Sequence, residues 1–309
     1  MLWQKRWFQI NILLLLAFVW GSSYILMKIG LKSFNSEQAG AVRIFIASLV
    51  LLPISIKQIK YLRRQDLFSL LIAGFIGSFL PAFLYMIAET RIDSALAGML
   101  NSLTPVFTLI VGLLFHRTKV KALQIAGILL GFAGAAGLVL AGDGFHIGHF
   151  HSYALLVILA TLCYAISINQ IKSKLSHLNG VQVTALSFLF IGPVALVCLL
   201  LSHPATVLEQ PGWPIHLLAL AALAVVGTAL AMLLMNTLLR YSSAIAASSV
   251  TYIIPVFAIM WGMLDGETIT LHHLGCMGLV LAGVYLINMK GKMSSGKRFY
   301  YRKDVKPNK

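Results

Sequence analysis

Pro105-Val106-Phe107 recurs as Pro255-Val256-Phe257, 150 residues further along a chain of 309. The surroundings repeat with it. Ser94-Ala95-Leu96-Ala97 precedes the first copy and Ser243-Ala244-Ile245-Ala246 the second. Gly112 and Gly262 each follow seven residues on, and Ala133-Gly134 is answered by Ala282-Gly283. Both copies lie among long apolar segments. A duplicated hydrophobic bundle is the build of many transporters, which hold a solute between two halves and rock one against the other.

Apolar residues make up 59% of the chain and charged residues 11%, where soluble domains carry roughly 45–50% and about 25%. One soluble core cannot hide that much apolar surface, but in lipid outward-facing Leu, Ile and Phe need no burial. Cys163, Cys198 and Cys276 sit inside apolar segments without the spacing of a metal site or a disulfide framework, and read as small core residues. The net charge of +15 could suit nucleic acid. Yet eight of the 24 basic residues lie in the last twenty positions and most others in short loops, with no aromatic-basic platform. The charge therefore reads as membrane topology. Lys5 and Arg6 before an apolar run imitate a signal peptide. The run continues to about Ile29 with no small-x-small cleavage site, and nine similar segments follow.

Segments of roughly 20 apolar residues can cross the hydrocarbon core as helices. Ten are expected, near 8–29, 37–56, 67–88, 94–115, 122–141, 152–172, 181–202, 215–238, 245–264 and 272–290. They divide into a first five-helix repeat over 1–141, a second over 152–290 and a basic tail over 291–309. With the N-terminus in the cytoplasm, 20 of the 24 basic residues fall on the cytoplasmic side, and only Asp66 and Asp304 of the nine acids do. This is the positive-inside rule. Both termini are then cytoplasmic in a multi-pass protein of a cell membrane, expected to be a bacterial inner membrane. An odd number of spans per repeat inverts the second repeat, giving a pseudo-two-fold axis in the membrane plane and one structural route to alternating access. The fold class is thus an all-α membrane protein, ten helices as two inverted five-helix repeats around a central cavity.

The chain resembles the drug/metabolite transporter superfamily, in its EamA-type ten-helix branch, over about residues 8–290. The resemblance is carried by Trp20-Gly21-Ser22-Ser23, Arg43, Thr104-Pro105-Val106-Phe107, Tyr252-Ile253-Ile254-Pro255-Val256-Phe257 and Gly266-Glu267, in order over ten spans. One departure is His116-Arg117, where such proteins often carry a glutamate after the fourth span. The resemblance implies a cavity lined by the first, third, fourth, sixth, eighth and ninth spans, with the fifth and tenth more peripheral. It also implies transport of small metabolites, often export of amino acids or related compounds.

Polar groups inside a membrane bundle mark candidate sites, because hydrocarbon offers no partner. Near mid-depth lie Trp20, Ser22, Asn101, Thr104, Tyr164, Thr251 and Tyr252, the expected substrate-binding set. Asn101, Thr104 and Thr108 share one helical face, and Thr251 and Tyr252 precede Pro255 as Asn101 and Thr104 precede Pro105. Each proline frees a backbone carbonyl one turn earlier, an extra acceptor beside these side chains. Ser, Thr and Asn also serve as glue between membrane helices, and Trp20 either stacks on a solute or fills the core. Pro105, Pro255 and Arg43 are assigned structural or gating roles. Arg43 and Lys28 sit toward the outer ends of their spans and can snorkel to the interface, while the resemblance, which places an arginine at Arg43, also allows it a fixed contact inside the bundle. Gly127, Gly131 and Gly134, echoed by Gly275, Gly278 and Gly283, are spaced for close helix approach. The partner helix is left open, in this chain or in a second copy forming a homodimer.

His146, His149 and His151 cluster in a loop with only Asp143 nearby and read as solvated, so no metal and no cofactor are expected. No acid lies at mid-membrane, Glu37 and Glu89 being at outer helix ends, so a carboxylate proton relay is not visible. HExxH, P-loop, GxSxG and Cys-His nucleophile patterns are missing, which weighs against an enzyme or an ATP-driven pump. The leading expectation is a secondary transporter, an exporter of a small amphipathic metabolite. A channel or facilitator would need a more polar span, and a lipid-modifying enzyme would need paired catalytic groups. Expected partners are the solute and anionic lipid headgroups near the tail, with no nucleic acid.

Overall fold

The computed structural model describes residues 2–116, 121–140 and 152–288, which are helical with no strand among them. Lipid dictates this, since a helix satisfies its backbone N–H and C=O groups within one segment. Nine helices among the described residues are long and apolar enough to cross a membrane: Arg6–Gly30, Ser36–Tyr61, Arg64–Ala88, Ser94–Phe115, Ala122–Leu140, Ala154–Lys174, Gly180–Leu201, Trp213–Tyr241 and Ala244–Leu264. A shorter apolar helix, Leu271–Asn288, is the tenth span. The chain is a multi-pass membrane protein. Leu114, Phe115, Leu201 and Leu264 stand more than 70% exposed near helix ends, surface that lipid covers. The histidine cluster and the basic tail fall outside the described residues.

The two halves repeat in detail. The second and seventh spans start from the same capping box: Gln38 N donates to Asn35 Oδ1 (2.8 Å) and Asn35 N to Gln38 Oε1 (3.0 Å). Asn179 and Gln182 do the same at 2.8 Å in both directions. Each box satisfies two orphan N–H groups of a first turn. The third and eighth spans each contain a π-helical stretch, Ile72–Phe79 and Leu223–Leu230.

The fourth and ninth spans break at matching places. The fourth runs Ser94–Asn101 and then Thr104–His116. The ninth runs Ala244–Ser248, a 3-10 stretch Ser249–Tyr252 and then Ile254–Leu264. Pro105 and Pro255 sit in the first turn of the second piece, where a missing N–H costs nothing. The freed carbonyls are not left for a solute, as the sequence suggested. Thr104 Oγ1 donates to Asn101 O and Ser102 Oγ to Thr251 O, both at 2.8 Å.

The fifth and tenth spans pack on each other within one chain. A Cβ on Gly127 would strike the Gly283 carbonyl oxygen, one on Gly283 the Gly127 carbonyl, and one on Gly134 would lie 2.6 Å from Cys276 O. Gly275 and Gly278 do not share this role. Nothing among the described residues lies within 4 Å of a Cβ at either, because they face away from the fifth span.

Candidate functional site

Between the halves lies a cavity of about 100 Å³. Its wall is built from matched positions. Trp20, Ser23 and Met27 of the first span stand 144 residues before Tyr164, Ser167 and Ile171 of the sixth. Gly77 and Ser78 stand 150 before Gly227 and Thr228, at the π-helical stretches of the third and eighth spans. Asn101 stands 150 before Thr251, beside the proline breaks. A π-helical turn shifts the backbone register by one residue, a device frequent at functional sites. Here it brings both Gly-Ser/Thr pairs to the cavity.

Of the expected substrate-binding residues, Trp20, Asn101, Thr104, Tyr164 and Thr251 line this cavity. Trp20 Nε1 donates to Gly227 O at 3.0 Å, fixing the indole across the two halves. Tyr85 Oη donates to Asn101 Oδ1 at 2.9 Å, while the Asn101 amide nitrogen has no partner among the described residues. The Tyr85 ring stacks on that of Tyr164, centroids 6.2 Å apart. Ser22 and Tyr252 lie elsewhere. Ser22 Oγ donates to Phe18 O and accepts from Trp261 Nε1, both at 2.8 Å, so it faces the ninth span. Tyr252 Oη reaches Val284 O of the tenth span at 3.4 Å. Neighbouring residues of this 3-10 stretch, at 3.0 per turn, point about 120° apart, so Thr251 and Tyr252 do not face the same space.

Of the two readings open for Arg43, the structure gives the fixed contact inside the bundle. Arg43 is 8% exposed and lines the cavity, its Nε donating to Thr228 Oγ1 at 2.9 Å and Nη1 facing Met27 Sδ at 3.6 Å. Thr228 Oγ1 in turn donates to Leu223 O at 3.1 Å, five residues back in the π-helical stretch. Pro105 and Pro255 are absent from the wall and shape it through the helix breaks.

Matching lysines, Lys28 and Lys172, each follow a wall residue directly, Met27 and Ile171. Lys28 Nζ lies 2.6 Å from Asp265 Oδ2 and 2.9 Å from Glu267 Oε1. Glu267 also accepts from Ser94 N (2.9 Å) and Ala95 N (3.0 Å), capping the fourth span. The sequence explains the placement. Gly266, at φ 88°, ends the ninth span with Glu267 N on Gly262 O (2.9 Å) and Gly266 N on Met263 O (3.2 Å). This is a Schellman turn, which needs a left-handed residue. A Cβ on Gly262 would occupy the seat of the Glu267 carboxylate. In the second half Lys172 Nζ donates to the carbonyls of Leu239 and Ser242.

Glu89, beside the Lys28 cluster, is buried rather than open to solvent. Its Oε2 accepts from Ser94 Oγ at 3.1 Å, and its Oε1 has no partner among the described residues. Burial pushes its carboxyl well above the usual carboxylate range. Among the described residues no group of three or more His, Cys, Asp or Glu could hold a metal ion.

The EamA-like transporter family matches twice, over residues 7–140 and 151–289. The chain belongs to that family. It is 26% identical over 280 residues to the uncharacterized inner membrane transporter YedA of Escherichia coli K12, covering 89% of this chain and 88% of that one. It is 26% identical to an uncharacterized transporter of Archaeoglobus fulgidus over 93% of this chain and 99% of the other. With Protein PagO of Salmonella typhimurium it shares 26% identity over 88% of this chain and 90% of the other. A solved crystal structure superposes with a TM-score of 0.62 at 16% identity, covering 92% of this chain and 97% of that one, a likeness of fold.

Proposed function

We propose that this membrane transporter is a secondary exporter of a small amphipathic metabolite, an amino acid or a related compound, working by alternating access in a bacterial inner membrane. The observation that carries the reading is the cavity itself, walled by equivalent residues of two inverted halves. Trp20, Tyr164 and the methionines offer apolar surface, and Asn101, Ser78 and Thr251 offer hydrogen bonds. Inverted repeats can exchange conformations, which opens one end as the other closes. In this cycle the Lys28–Asp265–Glu267 cluster closes one end and Lys172 on its carbonyls closes the other. Basic residues weight the Lys172 end to the cytoplasm, with both termini. The aromatic, Ser, Thr and Asn lining supports an amphipathic or zwitterionic solute. The five-helix units 1–141 and 152–290 are the moving halves in this reading.

The test is a growth screen across amino acids and related metabolites, with and without expression of the chain. Relief of inhibition by at least one compound, lost on Asn101→Leu at normal membrane abundance, is the expected result. No relief by any compound, with the protein abundant and folded, overturns it.

A further inference from the structure

The two halves match closely around the cavity, but not in charge. Counting from the shared capping boxes, Arg43 of the second span corresponds to Ser187 of the seventh. Arg43 puts a buried guanidinium in the cavity wall, whereas Ser187 is a buried hydroxyl outside that wall.

That guanidinium is undersupplied with partners. An arginine presents five N–H donors and keeps its proton in proteins. Here Thr228 Oγ1 takes Nε and the thioether of Met27 faces Nη1. Among the described residues no carboxylate lies within ion-pairing distance of Arg43. Glu89 does not compensate it, because burial favours its neutral form and its one hydrogen bond goes to Ser94. A buried charge is tolerated when it is paired and hydrogen-bonded. Its remaining N–H groups are free for a partner in the cavity, into whose wall Arg43 is built.

Two further unfilled groups share that wall. Ser78 Oγ is buried without a partner among the described residues, and the Asn101 amide nitrogen makes no bond to them either. Trp20, Met27, Met232 and Met235 supply apolar surface. We infer that the cavity is a carboxylate site: Arg43 receives the carboxylate of an amphipathic solute on its free N–H groups, Asn101 and Ser78 meet the remaining polar atoms, and Trp20 with the methionines packs the apolar body. The planar fork of arginine suits a carboxylate, which it can hold with two parallel bonds. This inference rests on the transport reading and narrows its solute class.

The test uses Ser167→Cys, on the cavity wall, with Cys163, Cys198 and Cys276 replaced by alanine. Purified protein is treated with a sulfonate-bearing and a trimethylammonium-bearing thiosulfonate of similar size. The anionic reagent should react about tenfold faster, the order expected from one nearby buried charge. Sodium isobutyrate should slow the reaction, while isobutyramide and sodium chloride at the same concentration should not. Arg43→Gln should bring the two rates together and remove the isobutyrate effect. Arg43→Lys, which keeps the charge and loses the fork, should keep the preference for the anionic reagent and weaken protection. Equal rates for the two reagents in the protein that retains Arg43, or equal protection by the amide or by chloride, overturn the carboxylate site while leaving an accessible cavity. If the thiol introduced by Ser167→Cys reacts with neither reagent, the cavity does not open, and the transport reading falls with the inference.

Discussion

Ser102 donates its hydroxyl to the main-chain oxygen of Thr251, 2.8 Å across the junction of the two repeats. The oxygen is the one that Pro255 frees, and Ser102 is fully buried. Each proline break is therefore closed by a hydroxyl, Thr104 within the first repeat and Ser102 reaching into the second. Ser102→Ala leaves a buried carbonyl unpaired. A hydrogen bond of this kind in a membrane bundle is worth about 1 kcal/mol, so purified Ser102→Ala should melt a few degrees below the parent in detergent. An unchanged melting temperature would show that the bond does not join the halves.

Asn101→Leu and Tyr252→Phe should behave differently. Asn101 faces the cavity with a free amide nitrogen, and loss of one such hydrogen bond costs about 0.5–1.5 kcal/mol, up to about tenfold in affinity. Transport by Asn101→Leu should weaken at normal abundance. Tyr252 holds the tenth span through Val284 O, outside the cavity, so Tyr252→Phe should transport as the parent does. The sequence alone puts both residues in one substrate-binding set. The opposite ranking in initial-rate uptake assays would remove Asn101 from the site.

Glu267 gathers one ammonium and two main-chain N–H donors while almost completely buried. Hydrogen bonds to a charged group contribute about 1.5–3 kcal/mol. Glu267→Ala uncaps the fourth span and leaves Lys28 to Asp265 alone, so its melting temperature should fall more than that of Ser102→Ala. Gly262→Ala should resemble it, since its Cβ displaces the same carboxylate. A fully stable Gly262→Ala protein would contradict the geometry of this closure.

Glu89 gives a pH signature. Its folded-state carboxyl titrates above its unfolded value, so the folded protein binds the extra proton between the two. Stability must then fall as pH rises through that window. Glu89→Gln mimics the protonated form, so it should lose this slope and retain substantial transport. Melting curves of both proteins across pH test it. Parallel curves would mean that Glu89 is ionised in the fold, and complete loss of transport at normal abundance would make it a coupling site.

Much of this was legible in the chain. Apolar run lengths gave the ten spans, and the 150-residue recurrence of Pro105 and Pro255 gave the repeat. The same offset joins Gly77-Ser78 to Gly227-Thr228, and an offset of 144 joins Ser23 to Ser167, signals that spacing alone could have flagged. Side-chain direction was not legible. Whether Thr251 or Tyr252 faces the cavity depends on helix rotation around the break, and the π-helical stretches change register without a sequence mark. The sequence leaves Arg43 between snorkelling and a fixed contact, because nothing in its own span shows that Thr228, 185 residues away, waits for it. Gly275 and Gly278 have the spacing of a packing face but lie on the wrong side of the tenth span.

The central claim is that one cavity between two inverted halves opens alternately to the two sides of the membrane. Ser23 and Ser167 occupy equivalent places in its wall, one from each half. Each is changed to cysteine in a cysteine-free background and exposed to an impermeant thiol reagent, in right-side-out and in inside-out vesicles separately. The account predicts that both positions react from both sides. Reaction of either position from one side only would contradict it.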